Sequence, residues 1–144
     1  MPKIEVKCIP GPEWIEKFSE IAHHICFGEL RPSSKERIDY ALLGVDANDV
    51  PLGYMTCREL NSDVVYWGFG GAFPSGEKSW RVWEGYQEFA RWHKGKYKRV
   101  LTYIGNENVP MLRIAMKLGF RIIGLKVHDS KLLLEHQLEL DGVA

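Results

Sequence analysis

The chain of 144 residues contains no apolar run of about 18 residues, the length that a membrane-spanning helix needs. It has no excess charge of either sign. Lysine plus arginine and aspartate plus glutamate number 19 each, so net charge points to neither a nucleic acid nor a membrane surface as partner. There are only three cysteines, Cys8, Cys26 and Cys57, an odd and scattered set. They fit neither a disulfide framework nor zinc-ligand spacing and are expected as reduced core thiols. The opening MPKIEVKCIP lacks the apolar core of a secretory signal. No internal repeat, linker or low-complexity segment interrupts the chain. Together these absences predict a single cytoplasmic domain over 1–144. Hydrophobic residues make up 45% of it, which excludes simple disorder.

Ile4, Val6 and Cys8 alternate with polar neighbours and predict a first strand over Lys3–Ile9. After Pro10-Gly11-Pro12, the apolar spacing of Trp14, Ile15, Phe18, Ile21, Ala22 and Ile25 predicts an amphipathic helix over 12–27. A polar loop follows to about 38. Tyr40–Val45 and Val50–Leu60 read as a hairpin around Asp46–Asp49, and Val64–Phe69 as a fourth strand ending at Gly70-Gly71. Trp80–Lys94 reads as a helix. Val100–Ile104 is a fifth strand and 109–118 a helix. Arg121–His128 and Leu132–Leu138 form a closing hairpin at Asp129-Ser130, with a frayed tail from Leu140. The order β-α-β-β-β-α-β-α-β-β predicts an α/β (α+β) fold with a mixed sheet of about seven strands and helices on both faces. Strands four and five, joined through a helix, should be parallel with a right-handed crossover.

The stretch Leu101–Phe120 carries the most information. An apolar strand runs into Gly105-Asn106-Glu107-Asn108, which supplies turn and cap chemistry. Pro110 sits where a first helical turn accepts it, and Gly119 closes the helix. Asn108, Arg113, Lys117, Gly119 and Phe120 resemble the second conserved block of the GNAT acetyltransferase superfamily, roughly N-x-x-(A/S)-x-R-x-(Y/A)-x-K-x-G-F, without a gap. The element order is similar to the GNAT order as well.

The resemblance implies an acetyl-CoA-dependent N-acetyltransferase that moves an acetyl group directly to a primary amine, on a small molecule or a protein. Strands four and five would splay, and the pantetheine arm of acetyl-CoA would lie along strand four. The pyrophosphate would rest on the next helix N-terminus, where free N–H groups favour an anion. The implied cofactor contacts are Gly68, Phe69, Gly70, Gly71, Ser75, Gly76, Lys78, Ser79, Arg81, Asn108 and Arg113. Asn108 reads equally as a helix cap. Acyl transfer to an amine needs a base, for which Asp63 and Glu59 are the candidates, each also readable as a solvated strand-end residue. A backbone N–H near Gly68–Gly70 would polarise the acyl oxygen.

The sequence departs from the family in two places. The phosphate loop usually reads (R/Q)-x-x-G-x-(G/A), whereas Phe73–Lys78 keeps only Gly76 and adds the negative Glu77. The family's tyrosine acid falls at Ala115. In its Gly-Gly-x-Phe-Pro loop and tryptophan-rich helix the chain resembles phage-encoded GNAT-like proteins. That likeness implies the alternative, a non-catalytic binding or structural protein with a degenerate CoA site. Gly71–Ser79 (GAFPSGEKS) misses the nucleotide P-loop because Glu77 displaces the lysine. His23 and His24 have no partner at metal-ligand spacing, so no metal is expected. Arg91–Arg99 (RWHKGKYKR) is basic and aromatic, and reads either as a solvated helix end or as a contact for a phosphate or nucleic acid. The closing hairpin offers an edge through which a second copy would pair as a homodimer.

Overall fold

The structure, a computed structural model, describes residues 3–19, 21–22, 37–74 and 79–144, with 79–81 described by backbone alone. The elements are β1 (Glu5–Pro10), α1 (Gly11–Lys17), β2 (Tyr40–Val45), β3 (Pro51–Glu59), β4 (Val64–Ala72), α2 (Ser79–His93), β5 (Arg99–Gly105), α3 (Val109–Leu118), β6 (Arg121–His128) and β7 (Lys131–Glu139). A 3-10 turn, Leu140–Gly142, ends the order. Seven strands form one mixed sheet in the order β1-β2-β3-β4-β5-β7-β6. Only β4 and β5 pair in parallel, as expected for two strands joined through a helix.

Strand alternation sorts the core onto two faces. On one face α2 and α3 bring Phe89, Ala90 and Ala115 against Leu42, Cys57, Val65, Trp67, Val100 and Leu138. On the other face α1 lays Trp14 against Ala41 and Tyr54, and the Trp14 and Tyr54 rings stack at 5.1 Å. This second face carries no described helix over β4, β5 and β7.

Local chemistry explains the element ends. Asn108 Oδ1 accepts the Met111 N–H at 3.3 Å and caps α3. Gly119 has φ 102°, and the Phe120 N–H reaches the Ala115 carbonyl, a Schellman ending that a residue with a Cβ would strain. The two-residue turn between His128 and Lys131 puts Asp129 and Ser130 at φ 50° and 64°, the twist a tight hairpin needs.

Several expectations are corrected. Gly70 and Gly71 lie inside β4, which runs on to Ala72, rather than in a loop. The C-terminal tail is not frayed. Leu140 is fully buried and Val143 nearly so, while Arg91 and Lys94 donate to the carbonyls of Ala144 and Val143. Cys57 is a buried thiol but Cys8 is exposed, because β1 is an edge strand. The helix expected over 12–27 is regular over Gly11–Lys17, with 19 and 21–22 also helical; 23–36 lies outside the described residues.

Candidate active site

The site begins with an interrupted ladder. β4 and β5 pair from Val64↔Arg99 to Trp67↔Thr102 and no further, although β4 continues for five residues and β5 for three. At the last rung the Thr102 hydroxyl donates to the Trp67 carbonyl at 2.9 Å. Beyond it, β4 stays paired with β3 through Ala72, and β5 stays paired with β7 through Gly105. The two strands therefore part, leaving a gap that opens toward their C-terminal ends.

A bulge in β4 accompanies the parting. Cys57 faces Trp67 and Met55 faces Gly70, so Gly68 and Phe69 together oppose Thr56. An extra residue of this kind bends and twists its strand. The Phe69 N–H is taken by Thr56 Oγ1 at 2.8 Å, which ties the bulge to β3 rather than β5. Gly70 has no room for a side chain, since a Cβ there would lie 2.8 Å from Met55 Cε and 3.0 Å from the Tyr54 carbonyl.

Of the sequence-predicted cofactor residues, Gly68, Phe69, Gly70 and Gly71 fall on the stretch of β4 beyond the last β5 partner. Asn108 stands at the start of α3, above the end of β5, where its side chain caps the helix. Ser79 and Arg81 are in the first turn of α2. Arg113 is exposed on α3. Ser75, Gly76 and Lys78, like Glu77, His23, His24 and Cys26, lie outside the described residues.

Asp63 and Glu59 lie at the end of the sheet away from the gap. Asp63 precedes Trp67 by four residues, about 13 Å of strand at about 3.3 Å per residue. Its carbonyl accepts the N–H groups of Lys98 and Arg99, and its carboxylate lies 3.9 Å from Lys98 Nζ. Glu59 ends β3 at the same lower edge and pairs with Val65. The cations of the basic run have partners within the fold. Arg91 pairs with Glu88 and holds the Ala144 carbonyl, and Lys94 holds that of Val143. Lys96 bonds the Trp92 carbonyl and lies over the Trp92 ring, Lys98 lies beside Asp63, and Arg99 pairs with Glu139.

Sequence reasoning missed the residues beside the gap on the sheet face opposite α2 and α3. Tyr103, the first β5 residue past the last rung, lies opposite Glu135 of β7, and its hydroxyl donates to Glu135 Oε2 at 3.3 Å. Burial first, and then the Glu135 charge, raise the Tyr103 pKa, so its hydroxyl keeps its proton. The Tyr66 ring lies 6.2 Å from that of Tyr103. Arg58 sits 4.9 Å from the centre of the Tyr66 ring and Lys126 4.0 Å from that of Tyr103. No local motif announces this group, since its members come from β3, β4, β5, β6 and β7.

Two buried histidines have structural partners. His93 Nδ1–H donates to the Phe89 carbonyl, so Nε2 accepts from the Tyr40 hydroxyl at 2.8 Å. Burial lowers the His93 pKa to about 4. His136 donates from Nδ1 to the Leu134 carbonyl. Its Nε2 is buried without a hydrogen-bond partner among the described residues, and the same holds for Nε1 of Trp67, whose ring packs in the core against Tyr86, His93 and Phe120. Among the described residues no group of three His, Cys, Asp or Glu side chains converges as a metal site would. A hollow of about 310 Å³ lies elsewhere, between Leu118, Arg121, Ile123 and Glu139, and touches none of the predicted site residues. No described helix is long and apolar enough to cross a membrane.

No family model and no curated protein sequence matches the chain. Solved structures do. Spermidine N-acetyltransferase SpeG from Vibrio cholerae, solved with CoA and spermine, superimposes with a TM-score of 0.74 at 9% identity over 96% of each chain. A GNAT family acetyltransferase from Elizabethkingia anophelis with acetyl-CoA bound gives 0.72 at 13% identity, over 94% of this chain and 97% of that one. The interrupted parallel pair, the helices on both faces and these superpositions agree: the chain has the fold of the GNAT acetyltransferases.

Proposed function

We propose that the chain is an acetyl-CoA-dependent N-acetyltransferase acting on a primary amine. The observation that carries this reading is the parting of β4 and β5 after Trp67↔Thr102. A strand edge without a strand neighbour is a place where an extended ligand adds as one more strand, through main-chain hydrogen bonds. The glycines at 68, 70 and 71 let such a ligand approach the backbone. Asn108, Ser79 and Arg81 stand at the two helix starts that flank the gap, and with Ser75, Gly76, Lys78 and Arg113 they complete the proposed cofactor contacts.

When bound, acetyl-CoA supplies a thioester whose carbonyl carbon the amine attacks. A C–N bond forms, the C–S bond breaks, and the thiolate leaves to be protonated. The chain's part is to position the amine, to hold the acyl oxygen and to accept the amine's proton. Phe69 N–H is committed to Thr56, so the next N–H, of Gly70, which faces away from β3, is the one assigned to the acyl oxygen. α2 and α3 cover the other face, so the amine comes over the face of Tyr66 and Tyr103. There we assign the base to Glu135, reached through the Tyr103 hydroxyl, in place of Asp63 and Glu59. We place the activity in the cytoplasm, with no part played by membrane or nucleic acid.

One observation favours the non-catalytic alternative. Ala115 is fully buried in the core under Trp67, so α3 offers no acid for the leaving thiolate at that position. Calorimetric titration with acetyl-CoA and CoA separates the readings. Micromolar binding is expected. No binding at millimolar CoA by a cooperatively melting protein would overturn the enzyme reading in favour of the binding module.

A further inference from the structure

The sheet face opposite α2 and α3, beside the gap, also carries information about the acceptor. A row of side chains crosses it: Arg58 over the Tyr66 ring, Tyr66 beside Tyr103, and Lys126 over the Tyr103 ring. Arg58 makes no ion pair among the described residues, and its Nε is buried without a hydrogen-bond partner. Asp39, a carboxylate that feels the Arg58 charge, is already held by the Arg37 guanidinium and the Glu59 N–H. Lys126 has no acidic partner among the described residues either. The one carboxylate in the row, Glu135, is engaged by Tyr103.

Two consequences follow from elementary electrostatics. One face of each ring already carries one of the protein's own cations. Any second positive charge on the acceptor would meet Arg58 or Lys126 as a like charge, at a cost that rises where water is excluded. An anionic group on the acceptor would instead give Arg58 the charge partner it does not have among the described residues. We infer that the acceptor is an amine that also carries an anionic group, a carboxylate or a phosphate. Its amine sits at Glu135 and Tyr103, and its anionic group sits at Arg58 or Lys126. This rests on the acetyltransferase reading for its chemistry, yet it opposes a polyamine acceptor of the kind bound in the Vibrio cholerae structure.

The test is ligand-observed NMR on the full chain, with and without acetyl-CoA. The probes are free amino acids, their methyl esters, phosphoethanolamine and spermidine. The expected result is that amino acids or phosphoethanolamine bind at least about tenfold tighter than esters or spermidine. Arg58→Gln should then weaken the anionic amine by about tenfold or more and the ester by less, and Arg58→Lys should restore part of the loss. If the amino acids win, the carboxylate is the recognised group; if phosphoethanolamine wins, the phosphate is. Preference for spermidine, equal binding of ester and acid, or no amine binding by a protein that binds acetyl-CoA would overturn the proposal. Binding of an anionic amine by a protein that ignores acetyl-CoA would sink the enzyme reading and leave the acceptor site standing.

Discussion

The Thr102 hydroxyl donates to the Trp67 carbonyl at 2.9 Å, on the last rung of the parallel ladder. Trp67 is nearly fully buried and Thr102 almost so, which leaves water little access to that carbonyl. The bond therefore marks the point where backbone pairing stops and the gap begins. Thr102→Val keeps the shape and removes the donor. It should destabilise the fold by about 0.5–1.5 kcal/mol, the net contribution of one hydrogen bond. Urea unfolding measures this, and an unchanged midpoint would show that the hydroxyl contributes nothing at the root of the gap.

Glu135→Gln should lower kcat by about a hundredfold or more, because the amide cannot accept the amine's proton. Tyr103→Phe should cost less, since only the intervening hydroxyl is lost. Activity within about twofold of the parent in the Gln variant would remove Glu135 from the base role.

His93 makes stability fall in mild acid. Its folded pKa, about 4, lies below the ordinary 6.5, because burial penalises the imidazolium. Its contribution is thus complete above pH 6.5 and is lost as pH falls from there toward 4. At about 1.4 kcal/mol per pH unit, the loss over that interval is about 3 kcal/mol. His93→Gln, which does not titrate, should show a shallower decline between those pH values. Parallel stability curves for parent and variant would refute this account.

The tail is a stability element remote from the gap. Leu140 is fully buried, and its N–H bonds the Lys98 carbonyl, where the chain enters β5. Leu140→Ala should cost about 2–5 kcal/mol. Thermal melting reads the loss, and a melting temperature equal to the parent's would return the tail to the frayed state its composition suggests.

β6 is the end strand of the sheet, and its Ile122, Ile123, Leu125 and Val127 are each half exposed or more. Such an edge is a template for pairing with another chain. We expect a homodimer through β6 that Leu125→Lys with Val127→Lys dissociates, so that light scattering falls from twice the chain mass to once. A parent that scatters as a monomer would exclude this interface.

How far each feature could be foreseen follows from the distance over which its physics acts. Asn108, Pro110 and Gly119 act within one helix, so α3 was expected over 109–118 and lies at Val109–Leu118. Period-two alternation and turn residues are equally local, and they placed β2 and the closing hairpin within a residue. The parallel β4–β5 pair followed from connectivity and chirality. By contrast, Gly70 and Gly71 read as turn residues, because a lone strand gives no sign that β3 will press on them.

The amino-acid sequence by itself determined the strand and helix order, the caps of α3 and the absence of any charge bias, all properties of neighbouring residues or of simple sums. Only the tertiary structure decided where β4 leaves β5, which groups the cations of Arg91–Arg99 pair with, and why Asp63 and Glu59 stand far from the gap. It also brought Arg58, Tyr66, Tyr103, Lys126 and Glu135 onto one face. Those relationships depend on strand pairing across long separations, such as the 32 residues between Tyr103 and Glu135, and pairing register is fixed by packing the whole sheet rather than by any segment of it.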